Sequence, residues 1–244
     1  MKEQKIIEVC SSPALFGLYD SADSIVVVID VLRATSSMCV AFEHGAEKII
    51  PVEGVEETRK YKEKGFVIAA ERDGEMIEGF DFGNSPFSFM GDAVKGKSIA
   101  ISTTNGTQAI KVAKYAKQVV IGSFLNLDSL CEWLARQESN VLCLCSGWKN
   151  RFNMEDTLFA GAVVHQLKKT GLFTSDCDSA IAADYLYSLA KEDMFKFLEN
   201  SSHRRRLKKL NIERDIEYCL TPNQTHVIPL LQGDVLVKLE EIFS

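Results

Sequence analysis

Residues 24–42 read SIVVVIDVLRATSSMCVAF, and the order of chemical types in this stretch decides the fold class. Five apolar residues, Ile25 to Ile29, run directly into Asp30. Arg33, Thr35, Ser36 and Ser37 follow, and a second apolar pattern begins behind them. A short unbroken apolar run reads as a strand covered on both faces, and the segment behind the polar loop reads as a helix.

The same order recurs further along. IVVVIDVLRATSSMCVAFEHGAEKIIPVEGVEETRKYKEKG and KSIAISTTNGTQAIKVAKYAKQVVIGSFLNLDSLCEWLARQ both read as strand, hydroxyl-rich loop, amphipathic helix, turn, second strand, second helix. At an offset of 70 residues, Ala46–Ile50 falls on Ala116–Val120. Residue identity between the halves is low, so the shared architecture carries the inference. A third strand, Val141 to Cys145, leads through SGWKNRFNMED into a helix predicted from about Glu155 to Lys169, with Leu158, Ala162, Val163 and Leu167 at near-helical spacing. A further apolar run, Phe66 to Ala70, precedes the longest irregular segment, ERDGEMIEGFDFGNSPFSFM, in which Ser85 before Pro86 suits a helix N-cap. From about Ser175 the pattern is mostly helical and includes the basic run SSHRRRLKKL. His226 to Leu231 reads as a short strand that Pro229 should confine to a sheet edge.

Alternating strands and helices predict an α/β fold: a layered αβα body whose largely parallel or mixed sheet is built from repeated strand–loop–helix units. With no Gly/Ser linker, residues 1–244 are expected to form one body, or two intimately packed lobes of about 1–95 and 96–244.

Composition narrows the function classes. The chain has 28 basic and 34 acidic residues, a net charge of −6, so bulk electrostatics favour neither nucleic acid nor an anionic membrane as partner. No apolar run approaches the ~20 residues that span a bilayer, and MKEQKIIEVC lacks a signal-peptide core. Seven scattered cysteines suit reduced thiols and a cytoplasmic location. The cluster His203 to Arg206, with Lys208 and Lys209, reads as a solvated basic face.

In parallel sheets, sites lie beyond the carboxyl ends of the strands, where the polar loops of this sequence fall. The first supplies Asp30, Arg33, Thr35 and Ser36: a hard oxygen ligand, an anion-binding guanidinium and hydroxyls that serve either a ligand or the helix cap. The second, Thr103, Thr104, Asn105 and Gly106, offers neutral donors and close backbone approach, or a simple turn and cap. The third places Glu155 and Asp156 in a first helical turn, where acids also complement the dipole. The long loop adds Glu71, Arg72, Asn84 and Ser85. Together these suit metal-assisted chemistry on a small phosphorylated acid. No GxGxxG follows a strand and there is no P-loop, GxSxG elbow or HExxH. Asp30 could serve as an aspartyl nucleophile, but the second acid expected two residues on is Leu32. CSGWKNR fits the Cys-x5-Arg spacing of thiol phosphatases, with Cys145 as nucleophile.

IDVLRATSS, ERDGE with GFDFGNSP, STTNGT and MEDTLFAG, in register from about Ile25 to Leu167, resemble the ComB family of Mg²⁺-dependent 2-phosphosulfolactate phosphatases. Over the helical C-terminal third the likeness is one of general character. The resemblance implies hydrolysis of the phosphate ester of a three-carbon sulfonated acid, a step of coenzyme M synthesis in methanogens, or of another phosphorylated hydroxy acid. It implies Mg²⁺ on Asp30, Glu71 and Asp156, with Glu155 as a fourth ligand, and oxyanions held by Arg33 and Arg72. Ser85, Thr103, Thr104 and Asn105 complete the cradle, and Asp30 is the first choice to accept a proton from the attacking water. A catalytically inactive metabolite-binding protein is the alternative from a different class, and a homodimer is an arrangement open to an enzyme of this kind.

Overall fold

The computed structural model describes residues 4–207, 210 and 212–240. Ser24–Ile29 forms a strand buried at every position, with Ile25, Val27 and Ile29 facing one apolar core and Val26 and Val28 the other. A strand covered on both faces needs helices above and below the sheet, and the chain supplies them.

In chain order the strands are β1 (Lys5–Cys10), β2 (Ser24–Ile29), β3 (Lys48–Pro51), β4 (Val67–Arg72), β5 (Glu75–Met76), β6 (Ser98–Ser102), β7 (Gln118–Gly122), β8 (Asn140–Cys145), β9 (Phe173–Thr174), β10 (Pro229–Gln232) and β11 (Val235–Lys238). The helices are α1 (Ala34–Glu43), α2 (Val55–Lys62), α3 (Gly106–Ala113), α4 (Leu127–Arg136), α5 (Met154–Lys169), α6 (Asp178–Ala190), α7 (Met194–Phe197), α8 (Ser202–Leu207) and α9 (Glu213–Cys219). Among the described residues the strands form one sheet in the order β5-β4-β6-β3-β11-β10-β7-β2-β8-β1-β9. Helices α4, α5 and α6 contribute to the first core, and α1 and α3 to the second. The expected mixed α/β architecture is the observed one.

The sheet contains two parallel blocks. β4, β6 and β3 form one, and β7, β2, β8, β1 and β9 the other. The repeat seen in the sequence is present, but its halves exchange partners: β2 pairs with β7, and β3 with β6. Between the blocks sits the hairpin β10–β11, antiparallel to both neighbours and closed at Gly233, whose φ of +63° favours glycine. Its antiparallel pairings make the blocks run in opposite directions. Strand twist of roughly 20–25° per step, accumulated from β2 to β4, turns the tips of one block back toward those of the other.

Two expectations need correction. Pro229 does not mark an edge: β10 lies inside the sheet, and the proline is tolerated as the strand's first residue, paired with Lys238. Glu71 and Arg72 are not in an irregular loop. They end β4 and pair with β5 across a two-residue turn at Asp73 and Gly74, whose φ values are +52° and +90°. An Asp-Gly pair with both residues left-handed is a strong hairpin signal, and ERDGEM carries it.

Candidate active site

Asp30 follows the last residue of β2, and the corner it begins is closed by its own side chains. The Asp30 amide donates to Thr35 Oγ1 (3.1 Å), Ser36 Oγ donates to the Val31 carbonyl (2.9 Å), and Ser37 Oγ to the Asn84 carbonyl (2.9 Å). Thr35 and Ser36, candidate ligand-binding hydroxyls, therefore tie the turn. This leaves Asp30 and Arg33 to line a cavity beyond the strand tip. Arg33 is buried, ion-paired with Asp215 of α9, and also donates to the Gly74 carbonyl (2.8 Å). The Asp30 carboxyl is held well above the usual range, first by burial and then by the charge of Asp156, with Glu71 adding to it; the His203 charge and the Ala34 amide act the other way.

The corresponding corner of the second half is built alike. The Thr103 amide donates to Thr107 Oγ1 (3.0 Å), and the Thr107 amide to Thr103 Oγ1 (3.1 Å), so Thr103 is also spent on its turn. Thr104 reaches the tip of the neighbouring strand β4: its amide and its Oγ1 both donate to Glu71 Oε1 (2.9 Å each), while the Gly74 amide donates to Glu71 Oε2 (2.8 Å). Asn105 Oδ1 accepts from the Lys149 amide (3.1 Å). Gly106 lets the corners touch. A Cβ there would lie 2.8 Å from the Ala34 Cβ and 2.9 Å from Asp30 Oδ2.

The loop after β8 closes a third side. Asp156 Oδ1 accepts from the Val31 amide (2.9 Å), and its Oδ2 from the Gly147 amide (3.0 Å) and Asn153 Nδ2 (2.9 Å). Both oxygens thus brace the first and third loops against each other. Burial and the Glu155 charge raise the Asp156 carboxyl. Glu155 is buried too, and its Oε1 is bonded to His203 Nδ1 of α8 and to Asn153 Nδ2.

One cavity of about 290 Å³ lies among these elements, lined by Asp30, Leu32, Arg33, Glu71, Asp73, Gly74, Asn84, Asn105, Trp148, His203 and Arg206. Of the residues singled out from sequence, Asp30, Arg33, Glu71, Asn84 and Asn105 line it. Thr35, Ser36, Thr103, Thr104 and Gly106 shape its corners. Asp156 and Glu155 stand behind the wall. Ser85 precedes a 3₁₀ turn at Pro86–Phe89, and its side chain makes no capping hydrogen bond. Arg72 is outside the lining: it donates to the Glu71 carbonyl (2.7 Å) and to Ser102 Oγ (3.2 Å).

Sequence reasoning missed α8. The run expected as a solvated basic face is divided by function: His203 and Arg204 are buried, Arg204 over the Phe195 ring, Arg205 is exposed, and Arg206 lines the cavity. Lys208 and Lys209 lie outside the described residues. Apolar and acidic surface beneath the helix overrides its local polarity, and the uncompensated acids of the MED segment were the available signal for a buried cation. Two features mark the cavity as a ligand site. Buried Asn84 Oδ1 has no hydrogen-bond partner among the described residues, and neither have Arg206 Nε and Nη2. Unpartnered buried polar groups are uncommon because each forfeits its hydration.

The thiol alternative is overturned. Cys145 is fully buried at the end of β8, outside the cavity lining, and burial pushes its thiol well above the ordinary value, so no thiolate is available to attack. Among the described residues no three His, Cys, Asp or Glu side chains form a ready-made metal cluster, and no helix is long and apolar enough to cross a membrane.

Comparison with known proteins gives a consistent result. Residues 10–234 match the family model described as 2-phosphosulpholactate phosphatase. Similar chains include one from Thermotoga petrophila, 39% identical over 214 residues that cover 88% of this chain and 92% of the relative. Another, from Caldanaerobacter subterraneus subsp. tengcongensis, is 35% identical over 221 residues, 89% and 91% of the two chains. A third, from Clostridium acetobutylicum, is 36% identical over 218 residues, 86% and 91%. Each bears the name probable 2-phosphosulfolactate phosphatase.

Proposed function

Since this chain belongs to the 2-phosphosulpholactate phosphatase family, we propose that it hydrolyses the phosphate monoester of 2-phospho-3-sulfolactate, or of a closely similar phosphorylated hydroxy acid, to the free hydroxy acid and phosphate. The observation that carries this reading is the single cavity in which the Asp30 and Glu71 carboxylates, two guanidinium groups and a histidine face one volume suited to a three-carbon acid.

The donor set fits Mg²⁺. This ion takes one or two carboxylates and keeps its other positions for water and phosphate oxygens, so it needs no protein cage. Asp30 and Glu71 would hold it, and the crowding of Asp156 and Glu71 around Asp30 is a charge arrangement that a cation relieves. Bound there, Mg²⁺ supplies neutralisation of phosphate charge. Asp156, with both oxygens on amide donors, serves as the brace that sets the position of Val31 and hence of Asp30. Arg33, pinned by Asp215 and the Gly74 carbonyl, keeps a fixed positive charge on the wall. Glu155 holds His203 by Nδ1, leaving Nε2 to give a proton to the alkoxide oxygen as the P–O ester bond breaks and water oxygen joins phosphorus. Seven free cysteines suit a reducing compartment such as the cytoplasm.

Phosphate release from a panel of small phosphorylated acids, measured with Mg²⁺ and with chelator, tests the reading. Release confined to acids carrying a second anionic group, and dependent on the cation, is expected. No release from any member with any divalent cation would leave a metabolite-binding protein instead.

A further inference from the structure

We infer that Arg206, seated on Trp148, forms the subsite for the substrate's second oxyanion, the carboxylate or sulfonate that is not cleaved. This deepens the phosphatase reading and rests on it. The argument begins with the arginines near the cavity. Arg33 gives Nη1 to Asp215 and Nη2 to the Gly74 carbonyl, and Arg72 gives Nη1 to the Glu71 carbonyl and Nη2 to Ser102 Oγ. Arg206 differs: Nε and Nη2, the adjacent donors on one edge of the guanidinium, are both buried and both without a partner among the described residues. That edge is the fork which takes a carboxylate or sulfonate through two parallel hydrogen bonds.

The fork is held in place. The guanidinium lies 4.2 Å from the centroid of the Trp148 ring, an arrangement that fixes its plane while leaving its edge free. Asn84 Oδ1, also buried, unpartnered and in the same lining, adds a polar atom that can accept from the hydroxy acid or, turned about, donate through Nδ2. Burial lowers the Arg206 guanidinium from its ordinary value, and the charges of Glu155 and Asp73 act the other way. Two internal anions act on Arg206, Glu155 and Asp73, and of these Glu155 Oε2 is buried and open as well. If Arg206 served only that carboxylate, its removal would not distinguish substrates by their second anion.

The test uses three phosphate esters on one carbon frame: 2-phospho-3-sulfolactate, 2-phospholactate without the sulfonate, and isopropyl phosphate without either acid group. Arg206→Gln is expected to lower kcat/KM about 100-fold, mainly through KM, on substrates bearing the recognised group, because a buried fork is left empty of its partner. Isopropyl phosphate should change by less than about threefold. Loss on the first ester alone assigns the fork to the sulfonate; loss on the first two assigns it to the carboxylate. Equal loss on all three, or loss on none, overturns the inference. Arg206→Lys keeps the charge without the fork and should recover no more than about a tenth of the lost kcat/KM, with circular dichroism to verify folding. If the wild-type chain cleaves none of the three, the phosphatase reading fails by itself. Calorimetric binding of 3-sulfolactate and of lactate to wild type and to Arg206→Gln then decides the inference, weaker binding by the variant supporting it and equal binding ending it.

Discussion

The corners that open α1 and α3 are built on one plan and do different work. In each, a threonine hydroxyl five or four residues on accepts the amide that follows the strand: Thr35 from Asp30, Thr107 from Thr103. Thr35 and Ser36 in the first, and Thr103 and Thr107 in the second, are consumed in closing the turn. The first corner then presents an acid and an arginine, where the second presents an amide and a glycine. Gly106 has no charge to offer, but it leaves the volume that the Asp30 carboxylate occupies. One half of the repeat carries the charge and the other makes room for it, so two similar elements make one asymmetric site. Chemistry should therefore be sensitive to charge at one corner and to bulk at the other.

The harshest break of that asymmetry is Asp30→Asn. It removes the charge while keeping the shape, and kcat should fall by about 1,000-fold, the scale expected when a principal electrostatic group is lost from an active site. Thermal stability should hold or rise, because Asp30 is buried beside Asp156 and Glu71. A folded variant with near-normal turnover would remove Asp30 from the mechanism.

His203→Gln probes what neither corner supplies. Loss of the proton donor should cost about 100-fold on an alkyl phosphate, whose leaving oxygen needs a proton, and only a few-fold on p-nitrophenyl phosphate, whose leaving group does not. Equal losses on both would give His203 a structural role only.

Gly106→Ala is the matching test of the second corner. The new Cβ would press on Ala34 and on Asp30 Oδ2, both nearer than 3.0 Å. The expected result is roughly 10-fold lower kcat and a loss of about 1–3 kcal/mol in stability, as for other overpacked sites. Ala34→Gly, the exchange at the other corner, opens space and should cost only about 0.5–1 kcal/mol of helix stability. If both substitutions lower activity alike, the room-making role assigned to Gly106 is wrong.

These cases also show what a sequence can carry. The strand–loop–helix order, the repeat and the strand-tip position of Asp30 are written in local pattern, since burial on both faces demands an unbroken apolar run at β2. Partner exchange between the halves is not local, and neither is the β10–β11 hairpin that joins the blocks; Pro229 pointed to an edge because proline forbids a ladder bond, not because it forbids a first position. Thr35, Ser36 and Thr103 illustrate the ambiguity of hydroxyls: composition cannot tell a cap from a cradle, and here the backbone of the turn takes them, amides for the two threonines and the Val31 carbonyl for Ser36. The sharpest gap is α8. Its residues look solvated in isolation, and only the buried acid Glu155 and the Trp148 ring give His203 and Arg206 their places.

The last test concerns pH and isolates the charged corner from the neutral one. Asp30 and Asp156 both bind protons more tightly in the folded chain than an ordinary aspartate does, through burial and through the carboxylates beside them. Between the unfolded value near 4 and the raised folded values, the native state therefore holds more protons than the unfolded state. Stability in the presence of chelator must then fall as pH rises through that window, by at most about 1.4 kcal/mol per pH unit for each carboxyl. Urea unfolding at pH 5, 6, 7 and 8 should reveal that slope. Asp30→Asn should flatten it, whereas Thr103→Ser, at the neutral corner, should leave it unchanged. Addition of Mg²⁺ should oppose the decline, because a bound cation favours the ionised carboxylates. A slope of opposite sign in the wild-type chain would mean that cationic partners, not neighbouring acids, govern Asp30, and the division of labour between the corners would have to be redrawn.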